Sequence, residues 1–100
     1  MQVTKENKNG VLTVTITGHL DTNTAPGLEE EVTSALEGVT ELRFDLTGLI
    51  YISSAGLRVL LTLHKTMAKA GGTFLILHPC DEVMEILDMT GFASFLSIEQ

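Results

Sequence analysis

Two adjacent serines and a glycine occur where an apolar stretch turns into a helical pattern, in the segment YISSAGLRVLL over residues 51–61. A hydroxyl at such a point can cap the helix, act as a nucleophile or accept a phosphate. At 100° per residue, Ser53 projects onto the apolar side of the helix and Ser54 onto the edge of a polar stripe. We therefore predict that Ser53 caps the helix and that Ser54 faces outward. The polar stripe consists of Arg58, Thr62, Lys65, Thr66 and Lys69.

Gly56 lies inside the first turn of this predicted helix. Glycine costs about 1 kcal/mol relative to alanine in a helix, so its presence indicates that another segment approaches closely. A phosphate on Ser54 would lie at the helix N-terminus, where free N–H groups and the helix dipole favour negative charge. Modification there would change the surface and leave the fold intact.

A serine hydrolase is the enzymatic alternative for these hydroxyls. Ser54 could be combined with His64 or His78 as the base and Asp45 as the orienting carboxylate, but the chain contains no G-x-S-x-G elbow. His64 projects to the middle of the apolar arc, which predicts a buried, hydrogen-bonded histidine. We expect a protein that is not an enzyme.

Other reactive groups also favour a protein without a metal or cofactor. The three histidines have no metal-ligand spacing, and no glycine-rich phosphate loop is present, so any ATP should belong to a partner. Cys80 precedes Asp81 at a predicted helix start, a position that can lower the pKa of a thiol and make it reactive. We expect instead that the Cys80 thiol is unreactive and packs against its neighbours. The methionines are expected to fill gaps in the core.

Length and charge narrow the function classes. The chain has 100 residues, which fits one domain over residues 1–100, and its 44% hydrophobic content supports a proper core. The formal net charge of −7 argues against nucleic acid and anionic membrane surfaces, and it leaves solubility or a basic partner as explanations. No apolar stretch approaches a membrane span, and the start is neither a signal nor a transit peptide. The lone cysteine fits a reducing cytoplasm.

Hydrophobic periodicity places the chemistry-bearing residues on strands and helices. Asn9-Gly10 indicates a hairpin between the first two strands. Strand-like apolar patterns predict strands over 3–7, 11–17, 41–46, 73–77 and 95–99. Helical spacing predicts a helix from Thr24 to Gly38, one from Ser54 to Ala70 and one over 81–89. The continuous apolar run TFLIL over 73–77 is typical of a strand covered on both faces.

Helix boundaries follow from capping residues. Thr24 is the predicted N-cap of the first helix, Pro26 suits its first turn, and the acidic run 29–31 favours its positive end. Asp81 and Gly91 are the predicted N-cap and C-cap of the third helix. The first helix should bury one stripe, made of Leu28, Val32, Ala35 and Leu36.

The resulting order is β-β-α-β-α-β-α-β, which predicts an α/β fold with a mixed, mostly parallel sheet. Right-handed crossovers bring the loops that follow parallel strands to one edge of the sheet, where open α/β folds bind ligands. We expect the segments 18–24, 47–54 and 78–81 at that edge.

Two segments together show a family resemblance. FDLTGLIYISSAGLRVLLTLHKTMAKAGG over residues 44–72 resembles the core signature of the STAS-domain anti-sigma factor antagonists, in which a strand ending in Asp-Leu-Ser/Thr leads to a serine at a helix start. ITGHLDTNTAP over residues 16–26 resembles the earlier loop of the same family. With the opening hairpin and GGTFLIL, the resemblance covers nearly the whole chain.

The resemblance implies a cytoplasmic, bacterial partner-switching protein. The unphosphorylated domain would bind an anti-sigma factor that is also an ATP-dependent serine kinase, and this binding would release the sigma factor. The kinase would phosphorylate the domain, and a serine phosphatase would restore it. Some relatives instead serve as constitutive scaffolds or transport-system subunits, and the sequence leaves monomer and weak dimer open.

The family motifs also imply individual site residues. The acceptor serine matches Ser54, with Ser53 as the second choice; Ser53 stands where the family often has aspartate. Asp21 matches the family's loop aspartate near the partner surface. The expected partner-binding set is His19, Asp21, Thr22, Asn23, Ser53, Ser54, Gly56 and Arg58.

Overall fold

The computed structural model describes all residues, 1–100, and confirms the order β-β-α-β-α-β-α-β. The strands are β1 (Gln2–Lys8), β2 (Val11–Leu20), β3 (Glu41–Ile52), β4 (Thr73–Leu77) and β5 (Ser97–Glu99). The helices are α1 (Ala25–Thr33), α2 (Ser54–Lys69) and α3 (Asp81–Met89), and a 3₁₀ helix, Phe92–Ser94, precedes β5. None of the helices is both long and apolar enough to cross a bilayer.

The strands lie in the sheet in their chain order, β1-β2-β3-β4-β5. β1 pairs antiparallel with β2 through a turn at Asn9 (φ 53°) and Gly10 (φ 87°), as predicted, and all later pairs are parallel. Each crossover moves one strand in the same direction, so right-handed connections place all three helices on one face of the sheet.

The sheet therefore has one covered and one open face. Phe44 and Phe74 meet edge-to-face on the covered side at 5.1 Å, within a single core of 23 buried hydrophobic residues. Leu75 and Leu77 point to the open side and are only half-buried. The prediction that β4 is covered on both faces is wrong, since no helix crosses to the other face.

β2 and β3 are longer than their sequence patterns predicted. β2 continues through Gly18 to Leu20. The last residue of β3 that pairs with β4 is Asp45, opposite Leu77, and β3 continues for seven residues beyond it. The segment 47–54, predicted as a loop, is strand up to Ile52. The register shift between Thr15 and Thr17 against β3 breaks the simple alternation, which hid this extension from the sequence pattern.

Some helix ends also differ from prediction. α1 ends at Thr33 rather than at Gly38, because Ala35 and Leu36 donate to Val32 and Thr33, three residues back, and so leave the α-helical ladder. The acidic run 29–31 begins at the fifth residue of α1 and so lies outside its first turn, contrary to prediction.

The other two helices follow the sequence more closely. α2 begins at Ser54 and is capped at Ala70 before Gly71 (φ 77°), as predicted. In α3 both predicted caps are wrong by one residue: Cys80 occupies the N-cap position and Asp81 is the first helical residue, while Thr90 is the C-cap and Gly91 follows it with φ 83°.

Candidate functional site

The ends of β2 and β3 bring the predicted loop and the two serines together. Leu20 pairs with Ile52, and the amide of Ser53 donates to the carbonyl of Leu20 at 2.9 Å. The chain leaves β2 through the loop 21–24 and leaves β3 directly into α2. The two segments that carry the family motifs are thus neighbours at the carboxyl edge of the sheet.

The third segment expected at this edge, 78–81, does not reach the ends of β2 and β3. β4 ends level with Asp45, so the segment 78–81 runs beside the extended part of β3. The half-buried thiol of Cys80 donates to the carbonyl of Leu49 at 3.3 Å. This contact gives Cys80 a packing role.

Asp21 and Thr24 hold the loop through reciprocal hydrogen bonds. The Asp21 carboxylate accepts from the amides of Asn23 (2.9 Å) and Thr24 (3.2 Å), and the Thr24 hydroxyl accepts from the Asp21 amide at 2.9 Å. The Asp21 carbonyl accepts from Ala25 at 2.8 Å. Thr24 is the N-cap residue of α1, as predicted, but its hydroxyl makes no cap bond to the helix; of the first helical amides, that of Ala25 donates to the Asp21 carbonyl instead. The spacing Asp-x-x-Thr could have indicated this.

The same contacts explain the ionisation of Asp21. Partial desolvation raises the pKa of its carboxyl, but hydrogen bonds from Asn23 and Thr24 and the nearby His19 outweigh it and leave the pKa below 3.8. Asp21 thus presents a fixed negative charge at the site. Thr22 and Asn23 are exposed beside it.

The two serines divide their roles as predicted. Ser53 is the extended N-cap residue of α2, and its hydroxyl accepts from the amide of Gly56 at 3.5 Å. Ser54 is the first helical residue; it is exposed, and its hydroxyl makes no side-chain hydrogen bond. The prediction that Ser54 faces outward is confirmed.

Gly56 is buried, so it offers a partner little surface of its own, and its place in the partner-binding set stays a prediction. A Cβ at this position would lie 2.7 Å from Cγ1 of Ile52, 2.8 Å from Cγ of Leu20 and 2.9 Å from the carbonyl oxygen of Leu20. Gly56 therefore lets α2 pack directly on the ends of β2 and β3, as its type indicated.

Arg58 lies between two surface grooves. The first, of about 240 Å³, contains Ser54 and runs from α2 towards the 3₁₀ helix; it is lined by Ser54, Leu57, Arg58, Leu61, Thr90 and Phe92. The second, of about 280 Å³, separates α2 from the start of α1; its polar lining includes Thr22, Glu29 and Arg58.

Two exposed apolar side chains border the site and were missed by the sequence analysis. Ile50 is 61% exposed and Tyr51 is 45% exposed at the end of β3. The Tyr51 ring lies 6.3 Å from the ring of exposed His19 on the paired position of β2. The sequence analysis placed both residues in a loop, where single apolar side chains give no sign of a surface patch. Their exposure at the edge of the sheet became visible only when the structure showed that they extend β3.

Two of the groups considered for a hydrolase, His64 and Asp45, lie away from Ser54. His64 lies ten residues along α2, about 15 Å away at the helical rise, and Asp45 lies at the far end of the extended part of β3. The Asp45 carboxylate accepts from the Thr47 hydroxyl at 2.7 Å. His64 is half-buried with its ring 5.2 Å from that of Phe95 and makes no side-chain hydrogen bond, so the prediction of a buried, hydrogen-bonded histidine is wrong.

Comparisons with known proteins agree with the motif resemblance. The family model described as STAS domain matches residues 2–100. The anti-sigma-B factor antagonist of Bacillus subtilis is 30% identical over 94% of this chain and 85% of its own length.

Solved structures show the same fold. An anti-sigma factor antagonist from Mycobacterium paratuberculosis superposes with a TM-score of 0.87 at 23% identity, over 98% of this chain and 84% of its own. The Bacillus cell fate determinant SpoIIAA, solved in its phosphorylated form, superposes with a TM-score of 0.78 at 15% identity, over 99% and 92% of the two chains.

Proposed function

The chain belongs to the STAS-domain family of anti-sigma factor antagonists, and from this premise we propose that it is a non-catalytic switch controlled by phosphorylation of Ser54. In the unmodified state, the edge formed by the loop 21–24 and the start of α2 binds an anti-sigma factor that is also a serine kinase. This binding releases the sigma factor in the cytoplasm, and a serine phosphatase reverses the modification.

The observation that carries this proposal is the free hydroxyl of Ser54. Ser53 already caps α2, so the Ser54 hydroxyl is exposed and uncommitted at the first position of the helix. In the transfer, the Ser54 oxygen forms a bond to the γ-phosphorus of ATP held by the kinase. The bond from that phosphorus to the ADP oxygen breaks, ADP leaves with the bonding electron pair, and the hydroxyl proton passes to a base of the kinase.

A phosphate at this position is compatible with the fold. It would add about −1.5 to −2 charge at a helix N-terminus, where that charge is favourable. The fold relative SpoIIAA has been solved with its phosphate in place. The modification therefore changes the docking surface and leaves the fold intact. A kinase surface that fits the small Ser54 hydroxyl would face a dianion near the Asp21 carboxylate after phosphorylation, and this would weaken binding.

Incubation with a kinase of this class from the same genome and ATP, followed by mass spectrometry, tests the proposal. We expect one added phosphate on Ser54 and none in Ser54→Ala, while Ser53→Ala is labelled like the unaltered protein. Ser54→Asp should bind the kinase about 30- to 150-fold more weakly, equivalent to roughly 2–3 kcal/mol. Labelling of Ser54→Ala at the unaltered rate would make Ser53 the acceptor, and a chain that is never labelled would be a constitutive subunit.

A further inference from the structure

Arg58 is the one basic residue on the first two turns of α2. It is exposed and forms no ion pair or hydrogen bond, since the two salt bridges of the structure join Lys8 to Glu6 and Arg43 to Glu41. A free guanidinium beside a free hydroxyl is a notable pairing in a chain with only six basic residues.

Helical geometry directs Arg58 towards Ser54. The two residues are four apart in α2, a spacing at which Cβ atoms lie about 5–6 Å from each other. Side chains on a helix tilt towards its N-terminus, so the long Arg58 chain runs back over the turn that contains Ser54. Both residues line the groove of about 240 Å³. An acidic group preceding a basic group by four residues is the favourable order on a helix.

The Arg58 guanidinium can lie in either of the two grooves that border it. On the α1 side, the charged group that shares a groove with Arg58 is Glu29. On the other side, the groove is lined by Thr90 and Phe92, which carry no charge. Glu29 is only half-exposed and forms no salt bridge with Arg58. A phosphate on Ser54 would therefore be the strongest anion within reach.

We propose that Arg58 is the phosphate-pairing residue of the switch: it is free to meet an acidic group of the partner when Ser54 is unmodified, and it pairs with the phosphate once Ser54 is phosphorylated. This inference rests on the proposed acceptor. Phosphorylation then acts twice on the docking surface, because it adds a dianion and withdraws the cation that the partner would use. Arg58 acts here by binding the phosphate, without any part in its transfer.

The second ionisation of the phosphate tests the pairing directly. Phosphoserine has a second pKa of about 6, and a guanidinium that binds the dianion lowers it. Protein carrying phosphoserine at position 54, incorporated during translation, is titrated by ³¹P NMR. We expect Arg58→Gln to raise the phosphate pKa by about 0.3–1 unit relative to the unaltered phosphoprotein. Arg58→Lys should give an intermediate value, because an ammonium lacks the planar fork of donors.

Lys65→Gln is the matched control, since it removes a positive charge from the same stripe of α2, about 10 Å further from Ser54 along the helix axis than Arg58 is. We expect it to leave the phosphate pKa unchanged within about 0.1 unit. Equal pKa values for Arg58→Gln and the unaltered phosphoprotein would overturn the pairing. Because phosphoserine is introduced without a kinase, this result is independent of whether a kinase modifies Ser54. Failure of kinase labelling would instead overturn the proposed function, and with it the role of Arg58 in a switch, while the measured pairing of Arg58 with a phosphate at position 54 would stand.

Discussion

The amide of Ser53 donates to the carbonyl of Leu20 at 2.9 Å, and this bond joins the last residue of β2 to the cap of α2. Leu20 is followed by the Asp21 loop, and Ser53 is followed by the exposed Ser54. One backbone bond therefore sets the spacing between a fixed carboxylate and the proposed acceptor. Close packing beneath Gly56 holds the same arrangement from the interior.

Gly56→Ala should destabilise the protein by about 1–3 kcal/mol, because the new methyl group would lie within 3 Å of Ile52 and of the Leu20 carbonyl, which cannot move freely. Gly27→Ala in α1 is the control, since a Cβ there meets nothing within 4 Å. We expect it to stabilise by about 0.4–1 kcal/mol. Urea unfolding measures both, and equal stability of the two variants would contradict the packing role of Gly56.

Ser53→Ala and Ser54→Ala should separate capping from signalling. Removing the Ser53 hydroxyl leaves the Gly56 amide without its hydrogen-bond acceptor. We expect the free energy of unfolding to fall by about 0.5–1 kcal/mol, which is at the low end for N-cap substitutions because this bond is long. Ser54→Ala should change the unfolding free energy by less than about 0.5 kcal/mol, since the hydroxyl has no partner. Thermal unfolding of both variants checks the assignment; a larger loss for Ser54→Ala would reverse the two roles.

The carboxyl of Asp21 should titrate below 3.8 in the folded protein, measured by ¹³C NMR of the side chain. A folded-state pKa below the unfolded value means that the unfolded chain binds the proton more readily. The stabilisation is then complete above about pH 4 and is lost as the pH falls through the folded pKa.

The stability difference between the unaltered protein and Asp21→Ala should accordingly be largest near neutral pH and shrink below about pH 4. Glu37→Ala is the control, because Glu37 is exposed and accepts no side-chain hydrogen bond. A difference for Asp21→Ala that stays constant from pH 6 to pH 2 would show that the loop is held without the charge.

Ile50→Ser should weaken binding of the proposed kinase by about tenfold and leave stability nearly unchanged, because the 61% exposed side chain packs little in the free protein and borders the docking edge. Met89→Ser, at the end of α3, changes a residue that is 78% exposed and should leave binding unaffected. Titration calorimetry distinguishes them, and equal affinities for both variants would place the contact surface elsewhere.

Much of the site could be predicted from local patterns. The outward position of Ser54 follows from helical periodicity, and the cap at Ser53 follows from its residue type. The close approach at Gly56 could be inferred from the cost of glycine in a helix. Its burial could not, because the segments that approach it, at Leu20 and Ile52, were predicted as loops.

Local sequence patterns are enough to predict the order of the elements, the Asn9-Gly10 hairpin and the bounds of α2, since each depends on side chains a few residues apart. Tertiary contacts were needed to show how far β2 and β3 extend, that the Asp21 carboxylate and the Thr24 hydroxyl hold the loop reciprocally, and that Tyr51 and His19 share an edge. The reason is physical: strand length and register are set by pairing between residues some 30 positions apart. Where a strand bulges, the alternation that would report this pairing in the sequence is lost.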